Sequence, residues 1–174
     1  MIPMTTCAVA PELSEFSETY RRYRPWLLRV ALGLVDDPPT AEDVVQDVFA
    51  GLHRHGDGLR DQGALPGYLR TATLNRARSV LRRRRTERAY VPPHVPDAGS
   101  AESVAMMAGE RRVVATALRA LPPRQREVLI LRYYGDLSEA QIAETTGISR
   151  GSVKSAASRG LRSVSSMLRT GLPA

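Results

Sequence analysis

Residues 138–161 read SEAQIAETTGISRGSVKSAASRGL, and this stretch decides the fold. Ser138 and Ser149 stand where helix N-caps are expected, and Gly147 supplies a turn between them. A helix of about eight residues, a glycine turn and a second capped helix form the pattern of a helix-turn-helix unit. Its small core is predicted to consist of Ile142, Ala143, Ile148, Val153 and Leu161.

The second helix of this unit is predicted to run to about Leu168 and to have two distinct faces, because each residue advances about 100°. One face is apolar and consists of Val153, Ala157, Leu161, Val164 and Leu168. The opposite face carries Gly151, Ser152, Ser155, Arg159 and Arg162, flanked by Lys154 and Ser158. Small polar residues interleaved with arginines suit a DNA major groove. A solvated face on an ordinary bundle is the alternative.

The helix-turn-helix unit belongs to a predicted second domain over residues 104–169, with a tail at 170–174. Its first helix has an apolar face made of Val113, Val114, Ala117, Leu118 and Leu121. Pro122-Pro123 ends that helix and opens the next, which contributes Val128, Leu129 and Leu131. Residues 91–103 are rich in proline and have no hydrophobic period, so we interpret them as a flexible linker.

The first domain is predicted over residues 12–90, after a disordered leader at 1–11. Its first helix runs from about Glu12 to Leu34, and Pro25 is expected to kink it or split it. Thr40 is the predicted N-cap of the second helix, with Asp43 completing a capping box. A third helix runs from about Pro66 to Arg88. The fold class is therefore all-α, with two small helical domains joined by the linker.

The second helix is the cleanest amphipathic segment in the sequence. Its apolar residues, spaced as on one helical face, are Ala41, Val44, Val45, Val48, Phe49 and Leu52. Its opposite face carries Glu42, Asp43, Gln46 and Asp47. Such an acidic face fits docking onto a basic protein surface, although a purely solvated face remains an alternative.

The third helix carries most of the positive charge of the first domain, with Glu87 as its single acid between residues 70 and 88. Arg82–Arg85 are four consecutive arginines around one helical turn, a like-charge cluster that is costly in isolation. The cluster becomes favourable against a phosphate backbone, where counterion release drives binding. An RNA-binding or merely solubilising run is the alternative.

Composition limits the class of function. The chain has 174 residues, a formal net charge of +7 and a sequence pI of about 10.3, a balance that indicates an acidic polymer as partner. Cys7 is the only cysteine, and His53, His55 and His94 have no metal-ligand spacing, so neither a metal nor a cofactor is expected. No nucleophile or base accompanies the acids of the second helix, so we expect no catalysis. Neither a signal peptide nor a membrane span is predicted, which points to the cytoplasm.

Three segments in order resemble extracytoplasmic-function (ECF) sigma factors of the sigma-70 superfamily, most closely an actinobacterial subgroup. LPPRQREVLILRYYGDLSEAQIAETTGISRGSVKSAASRGLRSV, at 121–164, is similar to their region four. AEDVVQDVFAGLHRH, at 41–55, resembles region two, and GYLRTATLNRARSVLRRRR, at 67–85, resembles the helix that melts and reads the minus-ten element. The resemblance implies promoter-specific initiation by a dissociable subunit of RNA polymerase.

The resemblance also implies roles for particular residues. Glu42, Asp43, Gln46 and Asp47 would bind the clamp coiled coil of the polymerase β′ subunit. Asn75, Arg76, Ser79, Arg82 and Arg83 would hold minus-ten DNA, with the loop from about 56 to 66 capturing a flipped base. Arg150, Ser152, Lys154, Ser155 and Arg159 would read the minus-35 element. The partners implied are the β′ and β subunits and promoter DNA. The family often pairs with an anti-sigma factor, and whether one binds this chain is left open.

Two departures from the family's pattern bear on mechanism. Tyr68 stands where many members have tryptophan, and Ala156 stands where many have a basic residue. They put in doubt the melting of DNA by an aromatic wedge and the usual mode of minus-35 reading. Two other classes of protein compete with the sigma factor. A stand-alone helix-turn-helix regulator would bind its operator without polymerase, and an RNA-binding adaptor would use only the arginine-rich helix.

Overall fold

The computed structural model describes residues 11–35, 37–55, 63–90 and 109–170, which form seven helices and no strand. In chain order these helices are α1 (Pro11–Val35), α2 (Pro38–His55), α3 (Leu65–Tyr90), α4 (Gly109–Arg119), α5 (Pro123–Tyr133), α6 (Glu139–Thr146) and α7 (Arg150–Thr170). The prediction of an all-α fold is confirmed for these residues. The leader, most of the base-capturing loop, the linker and the end of the tail lie outside them.

Helices α1, α2 and α3 pack on one another and form the N-terminal bundle. The apolar stripe predicted for α2 is buried along its whole length, as expected. Leu27, Val30 and Ala31 of α1 and Leu69, Leu74 and Ala77 of α3 close the core around it. Pro25 lies inside α1, which continues unbroken to Val35, so the predicted split is wrong.

The start of α2 differs from the prediction. The helix begins at Pro38, and Asp37 rather than Thr40 acts as the cap, because Asp37 Oδ1 accepts a hydrogen bond from the Thr40 N–H over 2.9 Å. Pro38 suits the first helical position, since its missing N–H would be unpaired there in any case. Thr40 is thereby moved into the first turn, where its hydroxyl accepts from Arg84.

Helices α4 to α7 form the C-terminal bundle, in which α7 packs against α4, α5 and α6. The buried stripe of α7 is Val153, Ala156, Ala157 and Gly160. A Cβ on Gly160 would lie 3.0 Å from Leu129 Cδ1, so this glycine allows α5 and α7 to approach closely. The stripe is displaced from the predicted one, and Leu161, predicted in the core, is 42% exposed. Val113, also predicted on a buried face, is 40% exposed.

The two bundles are docked, with α1 against α5 and α3 against α6. Ile130 is fully buried, and a Cβ on Gly33 would lie 2.7 Å from Ile130 Cδ1, so only glycine admits this contact. Arg126 donates from Nε and Nη2 to the Gly33 carbonyl oxygen over 3.0 and 2.7 Å. Trp26 Nε1 donates to the Gly135 carbonyl oxygen over 3.1 Å.

Candidate polymerase and nucleic-acid interfaces

The acidic face of α2 is exposed but not uniformly available. Asp43, Gln46 and Asp47 are exposed, whereas Glu42 is half-buried. Glu42 Oε1 accepts from Arg24 of α1 over 2.6 Å, and Asp47 Oδ2 accepts from Arg76 of α3 over 2.6 Å. The structure therefore places the four residues together on one helix, with two of them engaged by arginines of neighbouring helices.

Helix α3 presents the predicted minus-ten residues on two different faces. Asn75 and Arg82 lie at i and i+7 on an outward line along the helix, and Ser79, at i+4, lies between that line and α2. Arg76 and Arg83 lie at i and i+7 on a second line, which faces α2. On that second line Arg76 pairs with Asp47, and Arg83 donates to Glu87 over 2.7 Å.

A groove of about 400 Å³ runs between α2 and α3. Its lining includes Asp43 and Asp47 from the predicted polymerase set and Arg76, Ser79 and Arg83 from the predicted minus-ten set. The ion pair between Asp47 and Arg76 joins the two sets across the groove, although these residues are 29 positions apart in sequence.

One member of the arginine cluster is structural. Arg84 Nη2 donates to Asp37 Oδ2 over 2.8 Å and to the Thr40 hydroxyl, so it fixes the start of α2. Burial alone would raise the pKa of Asp37, but the hydrogen bonds from Thr40 and Arg84 outweigh it and hold that pKa below its usual value. Of the four consecutive arginines, only Arg82 and Arg85 have side chains with neither a hydrogen bond nor an ion pair within the described residues.

The helix-turn-helix unit forms as the sequence predicts. The Ser138 hydroxyl accepts from the Gln141 N–H, and the Gln141 side chain accepts from the Ser138 N–H, which completes a capping box. Gly147 ends α6 with φ 72°, a left-handed conformation that glycine adopts without strain. Ser149 Oγ accepts from the Ser152 N–H over 3.1 Å and caps α7.

The predicted minus-35 residues share the solvent face of α7. They are Arg150, Ser152, Lys154, Ser155 and Arg159, and all are exposed. The Ser152 and Ser149 hydroxyl oxygens lie 2.9 Å apart, so the Ser152 side chain is oriented before any ligand arrives. Ala156 is 3% exposed and therefore lies within the bundle rather than on this face. A basic side chain at that position would have to leave the core.

The described residues contain no group of three histidine, cysteine, aspartate or glutamate side chains able to hold a metal. His53 instead packs against the ring of Phe16, with ring centroids 5.3 Å apart. Within the same residues, no helix combines the length and the apolar character needed to cross a membrane.

Sequence reasoning missed the ion pair that joins α3 to the C-terminal bundle. Arg78 donates to both carboxylate oxygens of Glu127, from Nε and from Nη2, each over 2.8 Å. These residues are 49 positions apart, and nothing local marks them as partners. A signal for the docking itself was present in the four consecutive apolar residues 128–131, because a helix that is apolar all round is buried on every side.

Comparison with known proteins assigns a family to both bundles. Residues 19–87 match sigma-70 region 2, and residues 111–164 match sigma-70 region 4. The chain is 34% identical over 160 residues to the RNA polymerase sigma-E factor of Streptomyces antibioticus, covering 91% of this chain and 87% of that one. The chain belongs to the ECF sigma factors of the sigma-70 superfamily.

A second relative agrees with this assignment, and two solved structures share the fold. The ECF RNA polymerase sigma factor SigL of Mycobacterium tuberculosis is 32% identical over 152 residues, covering 85% of each chain. The sigma factor RpoE of Bartonella quintana, solved in complex with the anti-sigma factor NepR, superposes with a TM-score of 0.73 at 24% identity and covers 91% of this chain and 99% of that one. CnrH, solved with the cytosolic domain of CnrY, gives a TM-score of 0.66 at 21% identity, covering 91% and 90%.

An ECF sigma factor directs promoter-specific initiation as a subunit of bacterial RNA polymerase, and this is the function of the chain. Its general partners are the polymerase core and promoter DNA. Sigma factors of this kind regulate transcription and are not catalysts. The family assignment thus answers what the protein does and leaves open which side chains do it.

Proposed function

We propose that this sigma factor divides its work among three helices. The acidic face of α2 docks on the β′ clamp of the polymerase, α3 holds the melted minus-ten strand, and α7 reads the minus-35 element. The observation that carries the proposal is the solvent face of α7, where capping serines and exposed cations are arranged on a rigidly seated helix. Such an arrangement is what base reading in a major groove requires.

The role of α2 rests on charge complementarity. Asp43, Gln46 and Asp47 are exposed on a helix whose other face is fully buried, so the acids are held on a rigid support. Acidic faces of this kind speed and orient docking onto basic partners. Exposed ion pairs contribute about 0.2–1 kcal/mol, so exchanging the Asp47–Arg76 pair for a polymerase contact costs little.

The role of α3 rests on its outward line of polar and cationic residues. Asn75 offers a donor and an acceptor for the edge of an unpaired base, and Arg82 lies two turns further along the same line, where it can neutralise phosphate. Base capture by the loop at 56–66 belongs to the same proposal. Unpairing a base costs a few kcal/mol, so the protein must supply contacts that exist only in the melted DNA.

Further assignments complete the proposed mechanism. Residues 12–90 act as region 2 and 104–169 as region 4, the latter also meeting the β subunit, with 91–103 as the linker. The chain acts in the cytoplasm, where the polymerase and the chromosome are, and has no catalytic centre of its own. The Bartonella quintana relative was solved with an anti-sigma factor, and we extend that class of partner to this chain.

The test of the polymerase contact is a double charge reversal on α2. Asp43→Lys with Asp47→Lys should abolish pull-down of core polymerase and run-off transcription, while circular dichroism shows unchanged helicity. The matched control is Glu18→Lys with Glu144→Lys, which makes the same change in net charge at exposed acids of α1 and α6. The control should bind core polymerase normally.

Two results would contradict the proposal. Normal pull-down by the α2 variant would remove the polymerase role from this face. Equal loss in the α2 variant and in the control would show that net charge, rather than the α2 face, governs binding. Specific binding of promoter DNA without polymerase would instead favour a stand-alone regulator.

A further inference from the structure

Arg78 of α3 forms an ion pair with the C-terminal bundle. Its guanidinium makes a bidentate pair with Glu127 of α5, with both distances at 2.8 Å. The Glu127 side chain is only 12% exposed, and the hydrogen bonds that Arg78 donates to its carboxylate raise the pKa of Arg78 above its usual value. Planar two-point pairing of this kind is how arginine also grips phosphate.

Arg78 stands on the outward line of α3. Asn75, Arg78, Arg82 and Arg85 fall at i, i+3, i+7 and i+10 and so share one side of the helix. Asn75, Arg82 and Arg85 are exposed, and Arg78 is partly covered. The positive charge of Arg78 is therefore not available on this line, because it is neutralised by a carboxylate of the other bundle.

Glu127 can release Arg78 without being left unpaired. Its Oε2 also accepts from Arg124 Nη1 over 3.2 Å, three residues earlier on the same helix. If the bundles separate, Glu127 and Arg124 remain paired on α5, whereas the guanidinium of Arg78 on α3 loses its partner. The pair that Glu127 keeps with Arg124 lowers the cost of separation at the carboxylate, and the Arg78 guanidinium becomes available.

We propose that Arg78 is an additional phosphate-binding residue for the melted minus-ten strand, and that Glu127 occupies it in the docked form in place of phosphate. This inference rests on the proposed roles of α3 and α7. Elements centred 10 and 35 base pairs upstream are about 85 Å apart at 3.4 Å per base pair, so α3 and α5 cannot remain in contact while both elements are bound. The Arg78–Glu127 pair is broken whenever the promoter is engaged at both elements.

The test measures binding of the full chain, without polymerase, to a fluorescein-labelled oligothymidine of twelve nucleotides. This probe offers phosphates and a single strand without a promoter sequence. Glu127→Gln should tighten binding by about three- to tenfold and make the slope of log affinity against log salt steeper by about 0.7, the value for one added single-strand phosphate contact. Arg78→Gln alone should change affinity by less than about twofold, because Arg78 is already occupied.

Double variants identify the responsible side chain. Glu127→Gln with Arg78→Gln should return affinity and salt slope to the wild-type values, whereas Glu127→Gln with Arg124→Gln should keep the gain. Glu18→Gln controls for net charge, since it removes an exposed acid of α1. Glu127→Asp, which shortens the carboxylate and disturbs the two-point geometry, should give a smaller gain and serves if the glutamine variant fails to fold.

Three outcomes would overturn the inference: no gain in Glu127→Gln, a gain that survives removal of Arg78, or an equal gain in Glu18→Gln. Run-off transcription with core polymerase keeps this failure distinct from failure of the proposed function. If the α2 charge reversal abolishes run-off as expected but the oligothymidine results do not depend on Arg78, only the inference about Arg78 falls.

Discussion

Helices α3 and α7 are both proposed to bind DNA, yet they present their cations differently. On α7, Arg150, Lys154 and Arg159 are exposed, and none pairs with an acid among the described residues. On α3, four arginines pair with acids. The acids are Asp47 of α2, Glu127 of α5, Glu87 of α3 itself and Asp37, which precedes α2. One helix is ready for its ligand, and the other must first give up internal partners.

The difference follows from what each helix has to bind. In the proposed mechanism, α7 reads closed duplex, whose groove is available at any time, so preoriented side chains reduce the entropic cost of binding. In the same mechanism, α3 binds a strand that exists only after melting. Arginines that are already paired within the protein contribute less to non-specific binding of phosphate, which otherwise depends only on charge.

The comparison is tested most strongly by matched alanine variants on the two helices. In holoenzyme, Arg159→Ala should weaken promoter binding by about 1–3 kcal/mol on the preferred minus-35 sequence and should flatten the preference at one base pair. Arg82→Ala should weaken all sequences similarly and reduce the salt slope by about 0.7. Binding to a series of promoters with single base changes measures both effects.

If Arg159→Ala weakens binding to all promoters equally, Arg159 binds phosphate. The two helices would then differ only in whether their cations are paired with acids of the protein. A base-specific effect of Arg82→Ala would assign sequence reading to α3 as well. Ser158→Ala serves as the control on α7, because Ser158 lies beside the reading face and outside the assigned set.

A smaller effect is expected from Asn75→Ala, which tests whether α3 acts on melted DNA at all. Loss of a hydrogen bond to an unpaired base should cost about 0.5–1.5 kcal/mol in open-complex formation, with core binding unchanged. Permanganate reactivity of promoter thymines measures the melted fraction directly. A template mismatched across the minus-ten element should recover only part of the loss, because base capture is impaired as well as melting.

Normal thymine reactivity in the Asn75→Ala complex would mean that this residue neither opens nor holds the strand. Full recovery on the mismatched template would restrict its role to melting. Both results would leave the function of α7 untouched, so the experiment separates the two helices cleanly.

The smallest expected effect concerns the anchoring of α2 by Arg84, an arginine withdrawn from DNA binding. The pKa of Asp37 is lower in the folded protein than its ordinary value of about 3.9, so the stabilisation is complete above that pH and disappears as pH falls through the lowered value. Asp37→Asn keeps the capping oxygen and removes the charge. It should lower stability by about 0.5–1 kcal/mol at pH 7.

Urea unfolding of the wild type and of Asp37→Asn from pH 7 to pH 2 measures this contribution. The difference between them should shrink toward zero at the acid end of the range. A difference that is constant with pH would mean that the charge of Asp37 plays no part and that the hydrogen bonds alone hold Arg84.

Local features of this fold could be predicted from the sequence. The α2 stripe, the Ser138 capping box and the Gly147 turn each depend on residues within a few positions of one another. The exposed positions of Ser152, Ser155 and Arg159 follow from the same helical period. The all-α class needed nothing further.

Features that depend on contacts between helices could not be predicted. Leu161 is exposed because the buried stripe of α7 runs through Ala156 and Gly160, and helical period alone does not reveal that shift. The Arg78–Glu127 pair joins residues 49 positions apart, and any acid of the second bundle would have fitted the sequence pattern equally well. The cap at Asp37 was missed because Thr40 with Asp43 also fits a capping box.

The four consecutive buried residues of α5 have a consequence for the solubility of the undocked chain. Ile130 is shielded from water by α1, against the bare backbone of Gly33, so separating the bundles hydrates an isoleucine side chain. Hydration of such a side chain costs about 1.5–3 kcal/mol. A free chain whose bundles separate therefore exposes an apolar surface that promotes aggregation. A chain whose bundles separate on the polymerase can bury this side chain directly against another protein. Separating the bundles therefore costs less free energy during assembly with the polymerase than before it.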